Sequence, residues 1–117
     1  MAACLAGFAG RLHTTGPVVT EAMHLVSGHS QGPDTLVEFL LATATGIAEA
    51  MRPAQLRSAA EAMRKYRDTP MDFADATLVL LSEELGVREI LTLDRRGFST
   101  YRTSRGGAFH LVLGPRL

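Results

Sequence analysis

The chain reads as an α/β fold, a mostly parallel sheet covered by helices in three α/β/α layers, and three observations predict it. Short apolar runs at residues 17–19, 90–93 and 108–113 have strand length and lack the strict alternation of a sheet open to water. Between them lie longer stretches with helical spacing that begin near Pro, Thr or Asp and close on Gly. Strands alternating with helices argue for parallel strands joined by crossovers. At 117 residues and 46% hydrophobic, residues 1–117 make a single domain with a real core, undivided by any repeat, low-complexity tract or long linker.

Composition narrows the setting. Twelve basic residues balance twelve acidic ones, so a nucleic-acid partner must be met by a local patch and not by net charge. The single Cys4 cannot form an internal disulfide, and no paired Cys or His spacing suggests zinc, which points to a reducing cytoplasmic setting. The opening MAACLAGFAGRL lacks a basic region before its apolar part and falls short of a span of about twenty residues, so neither a signal peptide nor a membrane anchor is expected. Its Ala, Leu and Phe suit a helix packed on a sheet, with Gly7 and Gly10 working against it.

In order along the chain, Pro17, Val18 and Val19 read as a very short buried strand, and Thr20 as the cap of a helix with Glu21 in its first turn and Ala22, Met23, Leu25 and Val26 on its apolar face. Gly28 closes it. The HSQGPD loop leads to a helix from Pro33 or Asp34 carrying Leu36, Val37, Phe39, Leu40 and Leu41. Residues 45–50 are assigned to a short strand from their position, although their alanines and glutamate favour helix. Pro53 opens a helix through Leu56, Ala59, Ala60, Met63 and Tyr66. Thr69 and Pro70 then read as the start of the next one, with Phe73, Ala74, Leu78, Leu81 and Leu85 recurring until Gly86. Ile90, Leu91 and Leu93 follow as a buried strand ending at Asp94. STYRTSRGG is turn-like, AFHLVL is a final strand, and a hairpin with the region around Tyr101 is expected.

The acids fall where this arrangement gathers them. In open α/β sheets the carboxyl ends of the strands and the starts of the following helices share one edge. Glu21 follows one strand, Asp72 and Asp75 lie at a helix start three residues apart, and Asp94 closes the next strand. Four carboxylates brought together raise one another's pKa unless a cation offsets them. Oxygen donors without Cys or His suit Mg²⁺ or Mn²⁺, and phosphodiester hydrolysis is the chemistry such a site serves.

Taken singly, each acid has a plain structural reading. Asp72 stands at the capping-box position after Thr69, Glu21 can be a first-turn partner of the helix dipole, and Asp94 before Arg95, Arg96 and Gly97 can be a turn residue. Asp75 between Ala74 and Ala76 is hardest to explain so, because a carboxylate beside an apolar face is expensive. The joint pattern carries the signal.

DFADATLVLLSEELG followed by EILTLDRRGF resembles the C-terminal half of PIN-domain proteins, VapC-type toxin ribonucleases in particular, and VVTEAMHLV is similar to that family's second acidic motif. The resemblance spans residues 12–113. It implies an α/β/α sandwich with a metal-dependent ribonuclease site, Mg²⁺ or Mn²⁺ held by Glu21, Asp75 and Asp94, and Asp72 as an additional acid. It further implies Thr92 as support for the strand-end turn, an RNA substrate and a cognate antitoxin, while exposed apolar helices would suit a homodimer. Arg95, Arg96, Arg102 and Arg105 are candidates for phosphate contacts. PIN domains open with an apolar strand ending in Asp, which residues 1–19 do not match; the expectation is a PIN-like domain lacking that first strand, N-terminally truncated, with residues 2–11 as the end of a helix. The competing expectation is a PIN remnant without catalysis that binds an antitoxin, itself or RNA. A receiver-type domain is disfavoured, since Lys65 is the only lysine and lies in a helix.

Overall fold

The computed structural model describes residues 3–7, 10–48, 52–92, 95–103 and 105–113. Five strands, β1 (Ala3–Ala6), β2 (Leu12–Thr15), β3 (Gly46–Ala48), β4 (Glu89–Thr92) and β5 (His110–Leu113), form one sheet in the order β3-β2-β1-β4-β5. The helices are α1 (Gly16–Val26), α2 (Gly32–Ala42), α3 (Pro53–Lys65), α4 (Phe73–Leu85) and α5 (Arg95–Thr100). β2 pairs parallel with β3 and β4 parallel with β5, while β1 runs antiparallel to both β2 and β4. Four strands therefore share one direction and the middle one opposes them. The α/β class and the mostly parallel sheet expected from the sequence are what the structure shows.

The centre of the sheet corrects the reading of the opening residues as helix. Ala3–Ala6 are a strand, with Leu5 opposite Ile90 on one side and His13 on the other. Both β2 and β4 would otherwise present unpaired backbone groups to each other across an interior gap, which costs more than the modest helix preference of alanine gains. Gly10, at φ 73°, lets the chain turn straight back into β2. Leu5 is fully buried and joins Ile90, Leu78 and Phe98 in the core.

The first helix also starts earlier than the sequence suggested. Pro17, Val18 and Val19 are not a strand but the opening turn of α1, because Thr15 accepts the Val18 amide at its hydroxyl and Pro17 stands where a missing N–H costs nothing. Thr20 is thus inside the helix, and Glu21 lies in its second turn, not its first. The expected helix at Asp34 and the strand at residues 45–50 appear as α2 and β3, and Pro53 opens α3. At α4, Asp72 replaces Thr69 as the cap, and Gly86 closes the helix in the left-handed conformation at φ 68°. The buried side of α4 is Ala74, Ala76, Thr77, Leu78, Val79, Leu81 and Ser82; Phe73 and Leu85, assigned to that side by spacing, are exposed at the two ends. Of the expected hairpin near Tyr101, an antiparallel bridge between Arg102 and Ala108 is present, after which β5 aligns parallel with β4.

α4 packs on β1 and β2 and is flanked by α1 and α3, so it is the pillar on which the rest is assembled. No helix among the described residues is long and apolar enough to cross a membrane.

Candidate functional site

Four strands point their carboxyl ends to one edge of the sheet, and α4, which runs back into β4, starts at that same edge. Thr15 and Thr77 join the two sides of this edge. Both are buried, and their hydroxyl oxygens lie 2.7 Å apart. The Thr77 hydroxyl donates to the Ala74 carbonyl at 2.7 Å, while the Thr15 oxygen accepts the Val18 amide. One continuous chain of hydrogen bonds thus runs from the first turn of α4 to the first turn of α1.

Asp72 and Asp75 form a reciprocal capping box. The Asp72 carboxylate accepts the Asp75 amide at 2.8 Å, and the Asp75 carboxylate accepts the Asp72 amide at 3.2 Å. This satisfies two of the amides that a helix start leaves without partners. Asp72 is exposed and Asp75 half-buried between the buried Ala74 and Ala76. The capping role expected for Asp72 is present, but its partner is Asp75 and not Thr69. Glu21 is half-buried on α1, which packs directly against α4. Leu93 and Asp94 lie outside the described residues; β4 reaches the buried Thr92 immediately before them, and α5 begins immediately after. Among the described residues no group of three His, Cys, Asp or Glu side chains stands close enough to hold a metal ion.

The arginines separate into different settings. Arg102 turns back on α5, where its guanidinium donates to the carbonyls of Ser99, Thr100 and Tyr101 at 2.9, 3.0 and 2.9 Å. Its charge is committed to a helix C-terminus, where cations are favoured. Arg105 lines a cavity of ≈ 550 Å³ with Ser82, Arg88 and Thr103 at the C-terminal end of α4. That is the opposite edge of the sheet, about 20 Å along the helix from its acidic start, so Arg105 does not belong with the acids. Arg96 is exposed on α5, the helix that follows the strand end.

Two features escaped the sequence reading. The Thr15–Thr77 pair joins residues 62 apart in the chain; Thr15 standing just before Gly16 and Pro17 is the one local sign of a cap, and the reading of Thr20 as the cap passes over it. The second is Tyr101, fully buried, with its hydroxyl donating to the Pro70 carbonyl at 2.8 Å just ahead of the capping box; a lone Tyr in a polar stretch gives no signal of that kind.

No protein-family model matches the chain. The chain is 35% identical over 111 residues to "Ribonuclease VapC26" of Mycobacterium tuberculosis (strain ATCC 25618 / H37Rv), a match that covers 93% of this chain and 82% of that relative. Identity at this level across nearly the whole chain, together with the α/β sheet, shows that the chain belongs to the VapC-type PIN-domain family.

Proposed function

We propose that the chain is a metal-dependent ribonuclease of the toxin type, which hydrolyses phosphodiester bonds of RNA and is held in check by a cognate antitoxin in the cytoplasm. The observation that carries the reading is the half-buried Asp75 carboxylate at the start of α4, on the edge to which the parallel strands point, in a chain related to a VapC ribonuclease. That carboxylate accepts the Asp72 amide, which holds it at that edge of the sheet.

The donor chemistry fits a hard divalent cation. Glu21, Asp75 and Asp94 supply carboxylate oxygens only, the ligands that Mg²⁺ or Mn²⁺ prefers, and these three residues would hold it. Bound there, the ion supplies activation of a water molecule and stabilisation of charge on the leaving oxygen. The chain's own work is positional. Asp72 caps α4 and holds Asp75 by the reciprocal amide contacts, the Thr15–Thr77 pair fixes the helix that carries Glu21, and Arg96 offers a phosphate contact beside the strand end.

A second reading, a binding module without catalysis that docks an antitoxin, a second copy or RNA, is favoured by one observation. α2 has no fully buried residue and exposes Val37, Phe39 and Leu41 to solvent, a surface that suits a protein partner. The test is cleavage of RNA by the purified chain with Mn²⁺ or Mg²⁺ and after chelation. The enzymatic reading predicts cleavage that chelation and Asp75→Asn both abolish. Titration of a partner without any metal-dependent cleavage supports the binding module instead.

A further inference from the structure

Building on the reading of Asp75 as a metal-holding acid, we propose that Tyr101 is a positioning residue for it. Its buried hydroxyl clamps the segment that enters α4 against the segment that leaves β4, and so sets where the capping-box carboxylates stand.

Tyr101 closes α5, its amide bonded to the Gly97 carbonyl at 2.9 Å, and its side chain is fully buried. The ring stands edge-on to Phe98 at 5.1 Å and to Tyr66 at 5.2 Å between centroids, and Phe98 continues the stack to Phe109 at 5.5 Å. Edge-to-face contacts of this kind hold ring orientation as well as burying area. A phenylalanine would fill that volume equally well. What the phenol adds is the hydrogen bond to the Pro70 carbonyl at 2.8 Å, with the Thr69 carbonyl next to it at 3.4 Å.

That bond reaches a short segment with few other ways to be fixed. Residues 66–72 are held at their start by the Thr69 amide on the Tyr66 carbonyl at 3.0 Å, and further on by Met71, which is buried. Asp72 follows Pro70 by two residues and must sit in extended backbone, at φ −82° and ψ 177°, for its carboxylate to meet the Asp75 amide. The neighbouring Tyr66 hydroxyl instead accepts the Arg102 amide at 3.0 Å, a bond to the backbone that follows α5 and not to the Pro70 carbonyl. Tyr101 directly follows α5, so one buried side chain couples that helix to the segment that leads into the capping box of Asp72 and Asp75. Metal ligands tolerate displacements of only about 0.2 Å, which makes such a coupling matter to ion binding.

The test compares the full chain with Tyr101→Phe and, as a control, Tyr66→Phe, which removes a hydroxyl from the same stack without touching Pro70. Amide exchange at Asp72 and Asp75 is read against exchange at Leu78 and Val79 in the middle of α4, and Mn²⁺ affinity is measured by calorimetry. In Tyr101→Phe, exchange at Asp72 and Asp75 rises about five- to tenfold relative to the mid-helix amides, as expected for one lost hydrogen bond, and Mn²⁺ binds about tenfold more weakly, as for a lost outer partner of a ligand. In Tyr66→Phe neither ratio moves. Unchanged relative exchange in Tyr101→Phe, or faster exchange with unaltered Mn²⁺ affinity, overturns the proposal. A wild-type chain that takes up no Mn²⁺ removes the metal reading itself, and the exchange ratio still decides whether Tyr101 sets the capping box.

Discussion

The hydroxyls of Thr15 and Thr77 meet at 2.7 Å in the buried joint between β2 and α4. Their protons can be assigned from the neighbours: Thr77 gives its proton to the Ala74 carbonyl, so Thr15 must donate to Thr77 while accepting the Val18 amide. Thr77→Val keeps the shape and strands the Thr15 proton, which costs about 1–3 kcal/mol. Thr77→Ser keeps the bond and loses a methyl group, about 0.8 kcal/mol. Urea unfolding of the three proteins should rank them in that order.

The capping box separates the two aspartates at the start of α4. Asp72→Ala removes the cap and should lower stability by about 1 kcal/mol, whereas Asp72→Ser retains a capping oxygen and stays within about 0.5 kcal/mol of wild type. Asp75→Asn keeps an oxygen for the Asp72 amide, so the fold persists while the negative charge is lost. On the proposed function, its metal-dependent cleavage of RNA falls at least about 100-fold, with a thermal midpoint close to wild type. Retained cleavage in Asp75→Asn would count against the metal reading directly.

Arg96 and Arg102 are both exposed arginines of one short region, yet they should respond differently. Arg102→Ala leaves the carbonyls of Ser99, Thr100 and Tyr101 without their guanidinium and should destabilise the chain by about 1 kcal/mol or more. Arg96→Ala should leave stability within about 0.5 kcal/mol. If Arg96 meets a phosphate, the variant reduces the salt slope of RNA binding by about 0.7 in log–log terms. Binding measured at several salt concentrations distinguishes the two.

Burial raises the Cys4 thiol above its ordinary value. A raised thiol pKa means that the folded chain holds the proton more tightly than the unfolded one, so the contribution to stability is fully present below the unfolded value and is lost as pH rises through the folded one. Unfolding followed across the alkaline range should show a decline that begins above about pH 8.5 and that Cys4→Ala lacks. Because the thiolate is the reactive form, alkylation of the native chain should be slow compared with the unfolded chain.

Local chemistry made much of the chain legible in advance. Gly86, Pro53 and the apolar run at Ile90 marked a helix end, a helix start and a strand, because each acts through its own backbone geometry or its immediate neighbours. Asp75 stood out because a carboxylate among alanines beside an apolar face is expensive if left without a partner; in the fold it is half-buried and accepts the Asp72 amide. Boundaries failed where two signals competed. Thr69–Pro70 and Asp72 all cap well, and the reciprocal contacts with Asp75 decided for Asp72. Thr20 lost to Thr15 because Pro17 fits the first turn of a helix better than a strand paired on both sides.

The sequence by itself determined the α/β class and the helix whose start carries Asp72 and Asp75, since these rest on periodicity, caps and spacing along the chain. Only the tertiary structure decided that Ala3–Ala6 enters the middle of the sheet against the direction of its neighbours, that Thr15 holds Thr77, and that Tyr101 reaches Pro70. The pairing of β1 with β4, the Thr15–Thr77 bond and the Tyr101–Pro70 bond join residues far apart in sequence, satisfied because a buried polar group must find a partner wherever the fold brings one.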